Sequence, residues 1–411
     1  MRAILASVLS RIVRSGHLVL VDHDGTRQAF GDPTVAPLTM RLNDRRVAFD
    51  LVRNPQLKLG EAYMDGRIRF EGGTIAEFLD LIARNIGMGF GGGHMEWIAM
   101  FRHAVRRFMP RNSRARARRN VAHHYDLSGG LYDLFLDTDK QYSCAFYETP
   151  QDTLETAQLN KKRRIAAKLD LKPSHKVLDI GSGWGGLGLH IADTTGADVT
   201  GITLSDEQLK VANERVASGG LAGRVRFQLQ DYRHTQGKFD RIVSVGMFEH
   251  VGVEHYPAFF KQVSSLLRDD GVALIHSIGR SDGAGATNPW IAKYIFPGGY
   301  TPALSEVLPA VERAGLFVTD VEVLRLHYAY TLAEWRRRFV ANWERAKSLY
   351  DERFCRMWEF YLAGAEMGFR HQGLVVFQLQ LAKRIDALPI TRDYMMTAPA
   401  SQEVAGSRRA A

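Results

Sequence analysis

Strand-like apolar runs alternate with helix-like segments over residues 175–279, and this alternation constrains the fold more than any other feature of the chain. Two further strand-like runs follow this region. Repeated strand–helix units predict an α/β fold with a mostly parallel, doubly wound sheet, in which ligands bind outside the carboxyl ends of the strands. The predicted strands are 175–183, 197–205, 224–232, 239–252, 272–279, 316–326 and 373–383.

The first hundred residues show a different pattern. Two β-type runs flank Asp24-Gly25, a dipeptide typical of hairpins, and a strand, a helix, a short strand and a second helix follow. No catalytic motif occurs there, and we interpret this part as a small α/β domain that binds lipid or supports a dimer. The segments 280–315 and 327–371 exceed simple connections, so they are predicted to be helical lids over the site. The predicted division is a domain over 1–100, a basic linker over 101–120, a catalytic domain over 121–396 and an unstructured tail over 397–411.

The positive charge of the chain is concentrated in one block. The sequence has 54 Lys+Arg and 45 Asp+Glu, a formal charge of +9, and residues 101–120 hold eight arginines and no acid. Subtracting those eight charges from +9 leaves +1 for the rest of the chain. Such a block attracts a nucleic-acid backbone or an anionic lipid surface, or it is a solvated linker. Composition alone leaves these three interpretations open.

Composition excludes several classes of protein. Hydrophobic residues make up 45% and charged residues 24% of the chain, which is globular rather than disordered. No uninterrupted run of about 18 apolar residues occurs, which argues against a membrane-spanning helix. The two cysteines, Cys144 and Cys355, cannot form a disulfide scaffold and fit a reducing compartment. The motifs HExxH, paired CxxC and GxxxxGK[ST] are absent, so no metal site is expected.

The glycine-rich turn at 181–186 follows a predicted strand and opens a predicted helix. Glycines let the backbone approach a ligand closely, and the helix N-terminus offers N–H donors. A nicotinamide dinucleotide site would need an acid at the end of the second strand, but Thr203 stands there. Asp179 lies just before the turn instead, and Asp231 and Tyr232 suit the edge and face of an adenine. The pattern indicates a nucleoside-type methyl donor.

A specific set of motifs covers most of residues 120–385 in order. The motifs are HHYDLSGGLYDLFLD (123–137), YSCAFY (142–147), LDIGSGWGG (178–186), GITLSDEQ (201–208), GMFEHVG (246–252), IHSIG (275–279), FPGG (296–299) and HYAYTLAEW (327–335). This set resembles the cyclopropane-fatty-acyl-phospholipid synthase family, which includes the mycolic acid cyclopropane synthases and methyltransferases. The stretch LGEAYMDGRIRFEG (59–72) is similar to the extra domain of the bacterial phospholipid enzymes. That similarity favours intact membrane phospholipid as the substrate.

The resemblance implies a Rossmann-like methyltransferase that uses S-adenosylmethionine and acts on the double bond of an unsaturated acyl chain. The alkene attacks the methyl group, a carbocation results, and loss of a proton from the added methyl closes a cyclopropane ring. This chemistry requires a dry site, a weak base near the new methyl group and electron-rich walls. The resemblance also implies that bicarbonate, held by polar side chains and backbone, is the base.

The resemblance assigns residues to both ligands. Taken alone, Cys144 is a small buried thiol and His276 a core histidine, but with Glu249 and Tyr328 they match the bicarbonate pocket of the family. Ile278 would contribute its backbone. We do not expect Cys144 to act as a nucleophile, because methyl transfer to an alkene needs no covalent enzyme intermediate. The residues assigned to the methyl donor are Tyr125, Tyr142, Ser143, Asp179, Gly181, Gly183, Thr203, Leu204, Gln208, Asp231 and Tyr232.

Three alternatives stay open at this point. The same cation could be quenched differently, giving a methyl-branched or methylene acyl chain. The arginine block could serve a nucleic-acid-binding methyltransferase, but no base-reading module or aromatic–basic interleaving is present, so no nucleic-acid partner is expected. The N-terminal domain could carry lipid or support a homodimer. We expect a cytoplasmic enzyme, peripherally associated with the inner membrane surface, with the arginine block as an electrostatic anchor.

Overall fold

The structure is a computed structural model, and it describes residues 2–87 and 129–396. Three sequence predictions lie outside the described residues: the role of Tyr125, the basic linker over 101–120 and the tail over 397–411. The described strands form two sheets, one of four strands and one of seven. No helix in this part of the chain is both long enough and apolar enough to cross a membrane.

The N-terminal residues form the four-stranded sheet. Its elements are α1 (Arg2–Ile12), β1 (His17–Val21), β2 (Arg27–Gly31), β3 (Leu38–Leu42), α2 (Val47–Arg53), α3 (Pro55–Met64), β4 (Ile68–Glu71) and α4 (Ile75–Ile86). The strand order is β2-β1-β3-β4. β1 and β2 pair antiparallel, as predicted for the Asp24-Gly25 hairpin, while β3 runs parallel to β1 and antiparallel to β4.

The single helix predicted between β3 and β4 is in fact two helices, α2 and α3. That prediction was wrong because Pro55 begins α3. Proline forces the preceding residue out of the helical region, and Asn54 accordingly has φ −152° and ψ 72°. The chain therefore changes direction at Asn54 before the second helix starts.

The remaining described residues form the seven-stranded sheet and the helices around it. Its strands are β5 (Lys176–Ile180), β6 (Asp198–Thr203), β7 (Val225–Leu229), β8 (Phe239–Val245), β9 (Leu267–Arg280), β10 (Phe317–Leu324) and β11 (Leu374–Ala382). The α-helices are α5 (Gly129–Tyr132), α6 (Leu154–Lys168), α7 (Gly186–Thr195), α8 (Asp206–Ser218), α9 (Tyr256–Leu266), α10 (Pro289–Tyr294), α11 (Leu304–Arg313), α12 (His327–Ala341), α13 (Trp343–Leu349), α14 (Glu352–His371) and α15 (Asp393–Met396).

The order of strands in this sheet is β10-β11-β9-β8-β5-β6-β7. The neighbours from β9 to β7 pair parallel, whereas β11 is antiparallel to both β9 and β10. A mostly parallel sheet flanked by helices confirms the predicted Rossmann-like α/β class. Because the parallel strands share a carboxyl edge, the residues that follow β5, β6, β7 and β8 come together there.

The N-terminal residues pack against helices that follow β9. A Cβ on Gly60 of α3 would lie 2.4 Å from Trp290 Nε1 of α10, so this close approach requires glycine. The Tyr63 hydroxyl donates to Glu359 Oε2 of α14 at 2.6 Å. Hydrophobic side chains from both parts of the chain belong to one core cluster. The four-stranded sheet is therefore held against the same helices that accompany the large sheet.

Candidate active site

The glycine-rich turn connects β5 to α7 at the carboxyl edge of the large sheet. Gly181 has a φ of +85°, and a Cβ there would lie 2.9 Å from Met247 Cβ, so glycine is required. The N–H groups of Gly181 and Ser182 donate to the carbonyl of Ile202 at 2.9 and 3.0 Å. Gly185 precedes α7 without a capping side chain, which leaves the first N–H groups of the helix available to a ligand.

A pocket opens beside this turn. Its walls come from the segment 140–143, from the turn itself, and from residues at or beyond the carboxyl ends of β6, β7 and β8. The structure therefore brings together all the residues assigned to the methyl donor except Tyr125, which lies outside the described residues. Those that line the pocket are Tyr142, Ser143, Asp179, Gly181, Gly183, Thr203, Leu204, Gln208, Asp231 and Tyr232.

Two polar pairs line this pocket. Thr203 ends β6, and its Oγ1 donates to Gln208 Oε1 at 2.9 Å. Arg233 Nε and Nη2 donate to the two oxygens of Asp231 at 2.9 and 2.6 Å. Burial acts to raise the pKa of Asp231, but the hydrogen bonds from Arg233 outweigh it and hold the pKa below its usual value. Asp231 is therefore an ionised acceptor, suited to the hydrogen-bond donors of a nucleoside.

Two buried polar atoms in the pocket wall have no partner within the described part of the chain. They are Asp179 Oδ2 and Ser182 Oγ, and each residue is less than a tenth exposed. Burial raises the pKa of Asp179 to about 7, an effect that Lys161 opposes. Because buried polar groups are normally hydrogen-bonded, a polar ligand beside the glycine turn would satisfy both atoms. The hydroxyl and ammonium groups of S-adenosylmethionine are donors of this kind, so the pocket fits that ligand.

Glu249 lies next to the pocket in a one-turn 3-10 helix, Phe248–His250. The strand predicted for 239–252 is shorter than expected and ends at Val245. Glu249 Oε1 accepts a hydrogen bond from the Ile278 N–H at 2.6 Å, and the buried Oε2 has no partner among the described residues. Burial raises the pKa of Glu249 to about 7, and the bond from Ile278 offsets part of this rise. Such a carboxyl group can orient a small polar ligand or exchange a proton with it.

The His276 side chain contacts the neighbouring strand β11. Its Nδ1 lies 3.1 Å from Gln378 Nε2 on the neighbouring strand β11, and the ring is buried. Burial, together with the nearby charge of Lys161, lowers the pKa of His276 to about 3, so the ring is neutral at physiological pH. Successive side chains on a strand point to opposite faces, and the next residue, Ser277, donates its hydroxyl to the Ile278 carbonyl at 2.9 Å. Within the described residues, no hydrogen bond joins His276 directly to Glu249.

Cys144 and Tyr328 belong to one hydrophobic cluster, against which Ile278 packs. Cys144 Sγ is buried and donates to the Ala145 carbonyl at 3.3 Å. Burial raises the pKa of this thiol far above its usual value, and a protonated thiol is a weak nucleophile. The Ala145 N–H donates to Thr331 Oγ1 at 3.1 Å, which ties the cysteine segment to α12, the helix that carries Tyr328.

Aromatic rings extend from the pocket towards α12 and α14, and we call them the aromatic wall (Tyr142, Phe296, Tyr328, Trp335 and Tyr361). Tyr142 stacks on Trp335 at a centroid distance of 5.1 Å, and Trp335 meets Tyr328 edge-on at 5.8 Å. The hydroxyls of Tyr142 and Tyr361 are 3.0 Å apart, and Phe296 packs on Tyr361. Ring faces attract cations and exclude water, so this wall suits a positively charged intermediate.

Sequence reasoning missed several residues of the pocket wall. Lys161 of α6, Trp184 of the glycine turn and His250 after β8 all line it. The position of Trp184 inside the glycine motif could have revealed it, and His250 directly follows Glu249 in the motif at 246–252. Nothing in the sequence separates Lys161 from the adjacent Lys162, because packing decides which face of α6 meets the pocket. Among the described residues, no group of His, Cys, Asp or Glu could hold a metal ion.

Solved structures with this fold include two cyclopropane synthases. The cyclopropane synthase MmaA2 from Mycobacterium tuberculosis is 32% identical and has a TM-score of 0.62; the match covers 65% of this chain and 98% of that one. Mycolic acid cyclopropane synthase CmaA1, complexed with SAH and CTAB, is 34% identical over 64% of this chain and 97% of its own, with a TM-score of 0.61. Fold and pocket together define the class, and the chain is an S-adenosylmethionine-dependent methyltransferase.

The chain belongs to the mycolic acid cyclopropane synthetase family, whose model matches residues 112–379. A second model, described as a domain of unknown function, matches residues 7–90. The cyclopropane-fatty-acyl-phospholipid synthase of Escherichia coli K12 is 37% identical over 351 residues, which are 85% of this chain and 89% of that protein. Tuberculostearic acid methyltransferase UfaA1 of Mycobacterium tuberculosis is 36% identical over 395 residues, 92% of this chain and 91% of that protein. The family suspected from the motifs is confirmed.

Proposed function

We propose that this enzyme adds a methylene group to the cis double bond of an unsaturated acyl chain in membrane phospholipid and so forms a cyclopropane ring. S-adenosylmethionine supplies an electrophilic methyl group. As the alkene binds this methyl, the sulfur–methyl bond breaks and S-adenosylhomocysteine leaves. The acyl chain then carries a carbocation, and the ring closes as a proton leaves the added methyl. We propose bicarbonate as the base that takes this proton.

The observation that carries this proposal is the contact between Glu249 and Ile278 beside the donor pocket. The remaining oxygen of Glu249 is buried and has no partner among the described residues, so it fits a small hydrogen-bonding ion such as bicarbonate. A carboxyl group with a pKa of about 7 can either donate to such an ion or accept from it. Following the family motifs, we assign Cys144, His276 and Tyr328 to the same ion pocket.

The donor pocket divides into parts with different tasks. Thr203, Gln208 and Asp231 would hold the nucleoside, and Asp179 would accept from the ammonium of the methionine part. The glycine turn permits close approach of the backbone. The aromatic wall would exclude water, which would otherwise capture the carbocation, and would stabilise the positive charge through the ring faces.

A methyl-branched or methylene product is the second candidate. UfaA1, named a tuberculostearic acid methyltransferase, is about as similar to this chain as the cyclopropane synthase of Escherichia coli, at 36% against 37% identity. The cyclopropane ring, a methyl-branched alkene and a methylene chain arise from the same carbocation, directly or after a hydride shift, and differ in which proton leaves. A small shift of the base relative to the cation decides the outcome.

Labelled S-adenosylmethionine and lipid vesicles test the proposal. Purified enzyme should transfer label to vesicles of monounsaturated phospholipid and leave vesicles of saturated phospholipid unlabelled. Removing dissolved bicarbonate should slow the reaction, and adding it back should restore the rate. Label in the saturated lipid would contradict the alkene as acceptor, and a rate independent of bicarbonate would contradict the proposed base.

The product is identified separately. Proton NMR of the isolated lipid should show resonances in the cyclopropyl region, whereas a branched or methylene product would lack them. Mass spectrometry should show the gain of one methylene equivalent per modified chain in either case.

We place the enzyme at the anionic inner surface of a membrane, and the homodimer stays a prediction.

A further inference from the structure

Lys161 is a buried cation in the wall of the donor pocket, and the motifs assign it no role. It lies on α6 and is 1% exposed. Its Nζ donates to Gln141 Oε1 at 2.6 Å and to Ser143 Oγ at 2.8 Å. An ammonium group has three N–H donors, so one donor has no acceptor within residues 2–87 and 129–396.

The charge of Lys161 has no contacting carboxylate in the described structure. Burial lowers the pKa of Lys161 to about 8, while Asp137 and Asp139 raise it from a distance. The next residue, Lys162, differs because it forms an ion pair with Asp139 at 2.6 Å. Burying a charge is costly unless it is paired, so an anionic group in the pocket would complete the contacts of Lys161.

Asp179 provides a complementary charge in the same pocket. Its Oδ2 is buried without a partner in the described part of the chain, and Lys161 is the charged group that acts on its carboxyl. The two side chains do not form an ion pair with each other, so each keeps bonding capacity for a ligand. A cation with a spare N–H near a carboxylate with a spare oxygen matches the two charges of an α-amino acid.

We propose that Lys161 is a donor-binding residue that recognises the α-carboxylate of the methionine part of S-adenosylmethionine. Its two bonds to Gln141 and Ser143 hold the segment 141–143 at the pocket wall, and its remaining N–H binds the carboxylate. Lys161 therefore makes the enzyme selective for donors that carry this carboxylate. The inference rests on S-adenosylmethionine as the donor in the proposed function.

Calorimetry with two ligands tests this role without relying on turnover. S-adenosylmethionine and its decarboxylated analogue differ only in the carboxylate. A hydrogen bond between charged groups contributes enough to favour S-adenosylmethionine by about 10- to 100-fold in the wild-type full-length chain. In Lys161→Met, which keeps most of the apolar volume, the two ligands should bind with affinities within about 3-fold of each other.

Lys162→Met is the matched control. It removes a neighbouring buried lysine of the same helix that does not line the pocket, so it should keep the wild-type preference. The wild-type comparison needs no variant, and equal affinities there would overturn the role of Lys161 even if Lys161→Met failed to fold. A folded Lys161→Met that keeps the full preference would also overturn it. If the wild type bound neither ligand, that result would contradict both S-adenosylmethionine as the donor of the proposed function and this inference.

Discussion

Glu249 and Ile278 are joined by a 2.6 Å hydrogen bond from the Ile278 N–H to Glu249 Oε1. Glu249 follows β8 in a single 3-10 turn, and Ile278 lies near the end of the adjacent strand β9. The bond fixes one carboxyl oxygen against the sheet edge. The other oxygen remains available beside the donor pocket. Because Glu249 lies next to this pocket, its variants can be used to measure donor binding and catalysis separately.

Glu249→Gln should lower kcat by about 100-fold or more and leave the donor affinity nearly unchanged. The amide oxygen can still accept from Ile278, but the side chain can no longer exchange a proton or balance positive charge. Initial rates at saturating lipid and donor, combined with calorimetry of donor binding, would measure both quantities. If donor affinity fell in proportion to the rate, Glu249 would belong to the donor site instead.

The turnover of the wild-type enzyme should decrease as the pH falls below about 7. Burial raises the pKa of Glu249 to about 7. The side chain is therefore mostly a carboxylate above that pH and mostly protonated below it. Burial raises the pKa of Asp179 to a similar value, but Asp179 lines the donor pocket and should affect the KM for the donor. With bicarbonate kept saturating at every pH, the pH profile of kcat at saturating donor should therefore report on Glu249. Glu249→Gln should flatten this profile, and an unchanged profile would contradict the assignment.

Cys144→Ser should reduce kcat by less than about 10-fold, because serine keeps a small polar group that can replace the thiol hydrogen bond to the Ala145 carbonyl. A nucleophilic cysteine would behave differently, since replacing it would abolish turnover. Steady-state rates for Cys144→Ser and Cys144→Ala measure the effect. Complete loss of activity in a folded Cys144→Ser enzyme would contradict this prediction and would support a nucleophilic role for Cys144.

His276→Gln should make the free energy of unfolding less dependent on pH between about 4 and 6. Burial lowers the pKa of His276 to about 3 in the folded chain. Unfolding in this window therefore takes up a proton, and the contribution of His276 to stability is lost as the pH falls below about 6.5. Removing the group should decrease the slope by about 1.4 kcal/mol per pH unit. Urea denaturation at several pH values would measure it, and equal slopes would show that His276 is protonated in the folded state.

Replacing the arginines of residues 101–120 with glutamine should weaken binding to anionic vesicles. Each basic residue near such a surface contributes on the order of 1 kcal/mol, and added salt screens the attraction. Sedimentation with vesicles of phosphatidylglycerol, compared with vesicles of phosphatidylcholine, would measure the change. Salt-independent binding of the wild type to neutral vesicles would contradict the proposal that the arginine block is an electrostatic anchor.

The kind of sheet and most of the donor pocket can be predicted from the amino-acid sequence. Strand and helix periodicity is local, and the carboxyl ends of parallel strands meet at one edge, so Asp179, Thr203 and Asp231 could be predicted to lie together. The glycine of the turn could be predicted for the same reason, since its positive φ is a property of the local backbone. Pro55 is a local signal of the same kind, because a proline disfavours helical geometry at the residue before it, and it separates α2 from α3 where one helix is predicted.

Packing in three dimensions sets which of the remaining polar groups meet. Lys161 enters the pocket and Lys162 pairs with Asp139 because the packing of α6 sets the rotation of the helix. His276 lies opposite Gln378 because of the pairing register of β9 with β11, and Glu249 meets Ile278 because the turn after β8 lies beside the end of β9. Helix rotation and strand register depend on the packing of segments far apart in the chain, and no local pattern specifies them.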